Sequence, residues 1–291
     1  MIDDRSPRGG SRRLRIVHLF PDLLNVYGDR GNVRAVVVRA ELRGIVVETA
    51  TVKAGARQIP PADLFLIGGG QDREQVAVAR ELVRLGPAIR TQITDGASLL
   101  AVCGGYQNLG SSYRTGAGQV IQGPGILDVR TVAGSLRLIG PVVAHLARLP
   151  TANGGNGHET LVGFENHSGR TYLGTSARPL ARVEIGRGNN GEDGGEGILA
   201  RPGEGGMGGL RIGTYLHGPL LPSNPHLADA LIAAALGRGR APVELAPLDD
   251  ADEWRAHDRL VTRSREHRRR NERLPAWLRR VLDPVRSLVG F

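Results

Sequence analysis

Cys103 stands at the end of an apolar run, Ser98-Leu99-Leu100-Ala101-Val102, and is followed at once by Gly104-Gly105-Tyr106-Gln107-Asn108. A cysteine between a strand-like run and a helix-compatible segment has the pattern of a strand–turn–helix elbow, which exposes a side chain at the carboxyl edge of a sheet. Small residues after it let the turn be sharp and let a substrate approach the backbone. The N-terminus of the following helix favours a thiolate and supplies N–H donors. A lone cysteine is most often an inert buried thiol, but the strand-end context reverses that preference here. A thiolate nucleophile needs a base. Among the eight histidines, His217 in Gly213-Thr214-Tyr215-Leu216-His217-Gly218 also directly follows a strand-like run, 210–215. Its rival is His167, in Gly163-Phe164-Glu165-Asn166-His167-Ser168-Gly169. The expected pair is Cys103 as nucleophile and His217 as base.

The elements that must position this pair follow from hydrophobic patterning. Residues 14–20, 45–52, 62–67 and 98–102 read as strands, and 32–43, 76–85 and 88–95 as helices. Strands alternating with helices predict an α/β fold with a mostly parallel sheet flanked by helices. From about residue 136 the pattern changes to short strand-like runs (161–165, 180–185, 197–200 and 210–215) separated by glycine-rich loops. Two such stretches, 151–157 and 186–209, read as mobile low-complexity insertions. An apolar helix over 227–236 closes the body. The expected organisation is a basic disordered tail over 1–13, one domain over 14–246, and a charged helical extension over 247–291.

Composition narrows the function classes. The 291 residues are 40% hydrophobic but only 4% aromatic, so the core must rest on Val, Leu, Ile and Ala. There is no run of 18 apolar residues to cross a membrane, and the first residues lack a signal-peptide core. One cysteine cannot form an internal disulfide or a cysteine-rich zinc site. These features predict a cytoplasmic protein without a metal. The net charge of +9 suggests a nucleic-acid binder until it is located. Residues 1–15 carry +3 and residues 263–291 carry +6, so the body between them is neutral and no nucleic-acid partner is expected.

The Cys103–Gln107 and Gly213–Gly218 motifs together resemble class I glutamine amidotransferases of the cobyric acid synthase (CobB/CobQ) type. More narrowly, Tyr27-Gly28-Asp29-Arg30-Gly31-Asn32, Gly123-Pro124-Gly125-Ile126-Leu127-Asp128 and Gly163–His167 resemble the glutaminase subunits of lipid II isoglutaminyl synthases. Five motifs in the same order carry the resemblance, over roughly 14–236. It implies a flavodoxin-like class I amidotransferase fold and hydrolysis of L-glutamine. The ammonia would pass to a MurT-like Mur ligase partner, which amidates the D-glutamate of the lipid II stem peptide. By position, Cys103 would attack the side-chain amide, and His217 would activate the thiol and protonate the leaving ammonia. Backbone N–H groups of Gly104 and of Gly69 or Gly70 would form the oxyanion hole. Arg137 matches the arginine that grips the α-carboxylate of the substrate, and Gln107 is a further substrate contact.

One position departs from many class I amidotransferases. Where they carry a glutamate two residues after the histidine, this chain has Pro219. The site then works as a dyad, or a carboxylate comes from elsewhere: an aspartate of the partner, as the resemblance implies, or Glu165. A second departure concerns ATP. The only lysine is Lys53, within Thr51-Val52-Lys53-Ala54, so the chain has no GxxxxGK[ST] phosphate loop. No cofactor is expected in this chain, and ATP and Mg²⁺ are expected on the partner. In the tail, Leu274, Trp277, Leu278, Val281, Leu282, Val285, Leu288 and Val289 form a helical stripe with arginines off it. Such a segment can pack on protein or lie on an anionic membrane surface. Two other readings remain open: an amidotransferase subunit for another acceptor, such as a corrinoid, and a non-catalytic binding protein of the same fold.

Overall fold

Two apolar runs, Leu64–Ile67 and Ser98–Val102, are buried at every position, as strands covered on both faces of a parallel sheet must be. They lie side by side at the centre of the structure. The computed structural model describes residues 12–70, 72–147, 149, 159–200 and 209–273. In chain order the first half holds β1 (Arg13–Leu19), α1 (Arg30–Glu41), β2 (Val46–Val52), β3 (Leu64–Ile67), α2 (Asp72–Thr94), β4 (Ser98–Val102), α3 (Gly104–Asn108), β5 (Ser112–Arg114) and β6 (Val120–Gln122). Then follow β7 (Val129–Leu146), β8 (Thr160–Leu173), β9 (Ala181–Ile185), β10 (Gly195–Glu196), β11 (Ile198–Ala200), β12 (Arg211–Thr214), α4 (Pro225–Gly237) and α5 (Ala251–Glu272).

One sheet has the order β11-β12-β4-β3-β1-β2, parallel except for β11. The chain runs outward from β1 to β2, then returns to β3 and continues the other way through β4 to β12. This flavodoxin-like reversal leaves a crevice beyond the carboxyl ends of β1 and β3. The predicted α/β class with a mostly parallel sheet flanked by helices is what forms. α1 packs against α4, and α2 against α3. The helices expected separately over 76–85 and 88–95 are one element, α2, with Pro87 inside it. Proline removes one helical hydrogen bond, and here it does so on an exposed face, where Val83 is 52% accessible and water can satisfy the freed carbonyl.

The second sheet has the order β10-β9-β7-β5-β6, with β8 also paired to β7. The long β7–β8 ladder shifts register between Ala133 and Leu138, so that 134–137 bulge out against a single residue of β8. α5 lies on this sheet: Val261 packs with Val143, Val162 and Ile185, and the Arg265 guanidinium grips Glu184 at 2.7 and 2.8 Å. The basic tail before residue 12, the insertion at 151–157 and the stripe over 274–289 lie outside the described residues.

The segment 186–209 is not a mobile insertion as far as Ala200. Asn189, Asn190 and Glu196 are almost fully buried. The Asn189 amide donates to Gly197 O and accepts from Gly197 N at 2.8 and 2.9 Å, closing a tight loop that glycines make possible. Glu196 Oε1 accepts from Thr214 Oγ1 at 2.6 Å and from Tyr215 N at 2.8 Å. Side-chain amides and a carboxyl here do the fixing that an apolar core does elsewhere. Residues 201–208 lie outside the described residues.

Burial raises the Glu196 carboxyl to about 7, against the opposing effect of the Thr214 and Tyr215 bonds. In the unfolded chain the group titrates near 4.5. Between those values the folded state holds the extra proton, so stability falls as pH rises through that window. Replacing Glu196 with Gln removes the titration. The stability of wild type relative to E196Q should therefore drop by about 3 kcal/mol between pH 4 and pH 8. Urea unfolding of both proteins at the two pH values measures this, and a pH-independent difference would contradict it.

Candidate active site

Cys103 has φ 48° and ψ −107°, and with Phe20 and Arg238 it makes up the non-glycine residues at positive φ among those described. Such a backbone is strained and persists only when its surroundings enforce it. Both neighbouring strands do so. Cys103 N donates to Thr214 O at 2.8 Å, at the end of β12, and Gly105 N donates to Gly68 O at 3.0 Å, just past β3. The predicted elbow is therefore present. The helix behind it, α3, has only five residues. Its dipole contributes less to a thiolate than a full helix would, which throws the burden onto the neighbouring imidazole.

Gly68-Gly69-Gly70 runs beside the elbow at the end of β3. A side chain at Gly69 would place its Cβ 2.9 Å from His217 Cε1, 3.2 Å from Cys103 Cβ and 3.5 Å from Asp29 Oδ2. A single point on the backbone thus touches all three side chains, and only glycine leaves room for them and for a substrate. A Cβ on Gly104 would lie 3.0 Å from Gly70 N. Gly70 and Gly104 are the backbone amides that adjoin the nucleophile. Gly69 N, the other expected oxyanion donor, gives its hydrogen bond to Asp29 Oδ2 at 2.6 Å.

His217 is 1% exposed. Its backbone exchanges two hydrogen bonds with Phe164 of β8, N to O at 2.8 Å and O from N at 3.1 Å. Burial opposes protonation of the ring, but the Cys103 thiolate and the Asp29 carboxylate outweigh it and raise the imidazole from 6.5 to about 10. His167, the rival, behaves oppositely. It stacks on Tyr215 with ring centroids 3.5 Å apart, bonds Gly169 O at 2.8 Å through Nδ1, and burial lowers its pKa.

Glu165, the alternative orienting group, is engaged by other partners. Its two oxygens accept from Arg187 N at 2.7 Å and Gly188 N at 2.9 Å, and one lies 3.7 Å from His167 Nε2. The carboxylate beside His217 is Asp29, with Oδ1 3.8 Å from Nδ1. Sequence reasoning missed it. The signal that could have found it is topological: a charged residue in a glycine-rich loop after the first strand opens onto the same sheet edge as the loops after β3, β4 and β12.

Arg137 ends the β7 bulge and is exposed. Its Nε and Nη2 donate to Asn166 Oδ1 at 2.9 and 2.7 Å, and Nη2 also to Asn166 O at 3.0 Å. Asn166 is two residues from Phe164, whose backbone pairs with that of His217. Gln107 is buried behind the elbow, donating its amide to Tyr215 OH at 3.0 Å. Tyr215 OH lies 2.6 Å from Thr171 Oγ1, which lies 2.7 Å from Thr131 Oγ1. Among the described residues no cluster of three His, Cys, Asp or Glu side chains could hold a metal ion.

An elbow cysteine, a buried histidine and two adjacent backbone amides are equipped for nucleophilic attack on an acyl carbon with stabilisation of the resulting oxyanion. The CobB/CobQ-like glutamine amidotransferase domain matches residues 15–225. The chain is 38% identical over 259 residues to the lipid II isoglutaminyl synthase (glutamine-hydrolyzing) subunit GatD of Staphylococcus aureus, spanning 88% of this chain and 98% of that protein. It is 35% identical to the subunit of the same name from Streptococcus pneumoniae, over 77% of this chain and 81% of the relative. A cobyric acid synthase from Sphingopyxis alaskensis is 34% identical over 56% of this chain but only 30% of its own length. The chain belongs to the CobB/CobQ-like glutamine amidotransferase family.

Proposed function

We propose that this chain is the glutaminase subunit of a two-subunit lipid II isoglutaminyl synthase. The observation that carries the glutaminase assignment is the meeting of Cys103, His217 and the Gly69 backbone at one point, with Gly70 and Gly104 alongside. The lipid II assignment is supported by similarity along nearly the whole length of the S. aureus relative. The Cys103 thiolate attacks the side-chain amide carbon of L-glutamine. The carbonyl oxygen becomes an oxyanion held by Gly70 and Gly104 N–H. His217 gives its proton to the leaving ammonia, and a γ-glutamyl thioester remains. His217, now neutral, takes a proton from water as it attacks the thioester, releasing glutamate and restoring the thiolate.

Arg137 supplies a planar cation held by Asn166, suited to the α-carboxylate of the free amino acid. Gln107 acts from behind, keeping Tyr215 in place. The ammonia serves a MurT-like ligase partner, which holds ATP and Mg²⁺ and activates the D-glutamate carboxylate of the lipid II stem peptide. This chain needs no cofactor of its own for the hydrolytic half. It works at the cytoplasmic face of the membrane, where that acceptor is assembled.

Ammonia release from glutamine, by the chain alone and with the co-expressed ligase subunit, tests this reading. Cys103→Ala should abolish release in both preparations, and lipid II should gain one amide per glutamate formed only in the complex. Release that survives C103A would remove the nucleophile assignment. Arg137→Ala should raise KM for glutamine roughly tenfold to a hundredfold while changing kcat little, because a contact to the unreacting end of the substrate is made equally in ground and transition states. A fall in kcat at unchanged KM would place Arg137 elsewhere. Gly69→Ala should lower kcat by at least about a hundredfold with the fold retained, since its Cβ would press on His217 and Cys103 and a displacement of about 1 Å is enough; steady-state kinetics with circular dichroism decides it.

A further inference from the structure

Asp29 is buried, with its side chain 2% exposed, and one of its oxygens, Oδ1, accepts no hydrogen bond. A buried carboxylate with an unused oxygen is costly unless a positive charge faces it. The group it faces is His217, at 3.8 Å from Nδ1. Its other oxygen is fixed by Gly69 N at 2.6 Å, in the loop that borders the nucleophile. The carboxylate therefore touches both halves of the site: the imidazole and the glycine loop.

Pro219 explains how a residue so far upstream arrives there. It occupies the position where many class I amidotransferases carry their orienting glutamate. Its ring packs on both sides of Asp29: a Cβ on Gly28 would lie 3.9 Å from Pro219 Cδ, and one on Gly31, in the first turn of α1, 2.5 Å from Pro219 Cγ. Two residues on, Leu221 N donates to Asn32 Oδ1 at 2.9 Å, binding the post-histidine segment to the first turn of α1. The segment that follows His217 thus lacks a carboxylate of its own but clamps a loop that brings one.

We propose that Asp29 is the positioning residue of the Cys103–His217 pair: a carboxylate from this chain that orients the imidazole and favours its protonated form without touching substrate. The inference rests on the glutaminase reading for its kinetic arm. The other groups facing these residues are Glu196 behind His217, and His18 and Arg30 beside Asp29. None of them replaces the carboxylate at Nδ1: Glu196 is engaged by Thr214 and Tyr215, and burial holds His18 down near 4.

Cys103 is the only cysteine in the chain, so its alkylation by iodoacetamide reports the thiolate without further mutation. Asp29→Asn keeps an oxygen for Gly69 N–H but removes the charge, whereas Asp29→Ala removes both. Without the charge, the balance shifts from thiolate–imidazolium toward neutral thiol and imidazole. Alkylation of D29N at pH 7 should slow about tenfold relative to wild type, recovering at alkaline pH, with the melting temperature close to wild type. In the complex, kcat for glutamine should fall by about 10²–10⁴ at nearly constant KM. D29A should show the same chemical losses and a lower melting temperature. Wild-type alkylation in folded D29N would overturn the proposal, as would an unchanged kcat, the outcome expected if a second subunit supplied the carboxylate. Alkylation is read whether or not ammonia is released. Failure of the glutaminase reading would instead appear as wild-type protein that is alkylated normally yet releases no ammonia in the complex.

Discussion

The site depends on one unfavourable backbone conformation. Cys103 sits at φ 48°, where a residue with a side chain does not rest unaided, and it is held there because β4 lies between β3 and β12. One neighbour accepts the Cys103 N–H and the other accepts the Gly105 N–H, so the elbow cannot relax without breaking pairing on both sides. Parallel pairing also brings the ends of β1, β3, β4 and β12 to the same edge. The Asp29 loop, the glycine run, the nucleophile and the histidine are consequences of that shared edge rather than of four separate designs.

Behind this edge the core is unusually polar. With aromatics at 4% of the chain, large rings are scarce, and two of the five tyrosines stand directly behind the nucleophile. Tyr106 and Tyr215 meet edge to face with centroids 5.3 Å apart, and Tyr215 is further fixed by Gln107, Thr171 and the stacked His167. A connected buried network of this kind adds less to net stability than to uniqueness of geometry. A catalytic pair with tolerances of a fraction of an ångström needs that more than it needs extra stability.

What the sequence made legible was local. Ser98–Val102 followed by Cys103-Gly104-Gly105 announces an elbow because strand, turn and helix are contiguous, and His217 is found by the same logic. The single helix through Pro87 was harder to read, since whether proline ends a helix depends on which face it occupies. Residues 186–209 look like a mobile insertion by composition, yet Asn189 and Glu196 are core residues whose partners, Gly197, Thr214 and Tyr215, are fixed only by the fold. Asp29 is the clearest case. Nothing within its own loop connects it to His217, 188 positions on; the packing of Pro219 on Gly31 does. Arg137 could be singled out only by resemblance, and its pairing with Asn166 depends on a bulge in β7 that no periodicity foretells.

The backbone bridge between His217 and Phe164 carries a mechanical implication. The nucleophile belongs wholly to the parallel sheet, but the histidine is also stitched to a strand of the other sheet through reciprocal hydrogen bonds. The thiol is therefore held by one sheet and the imidazole by both, at the seam where they meet. Because close-packed interiors transmit strain, a displacement of the second sheet against the first is felt at the gap between sulfur and nitrogen. The distance on which proton transfer depends is thus a gauge of how the two sheets are seated.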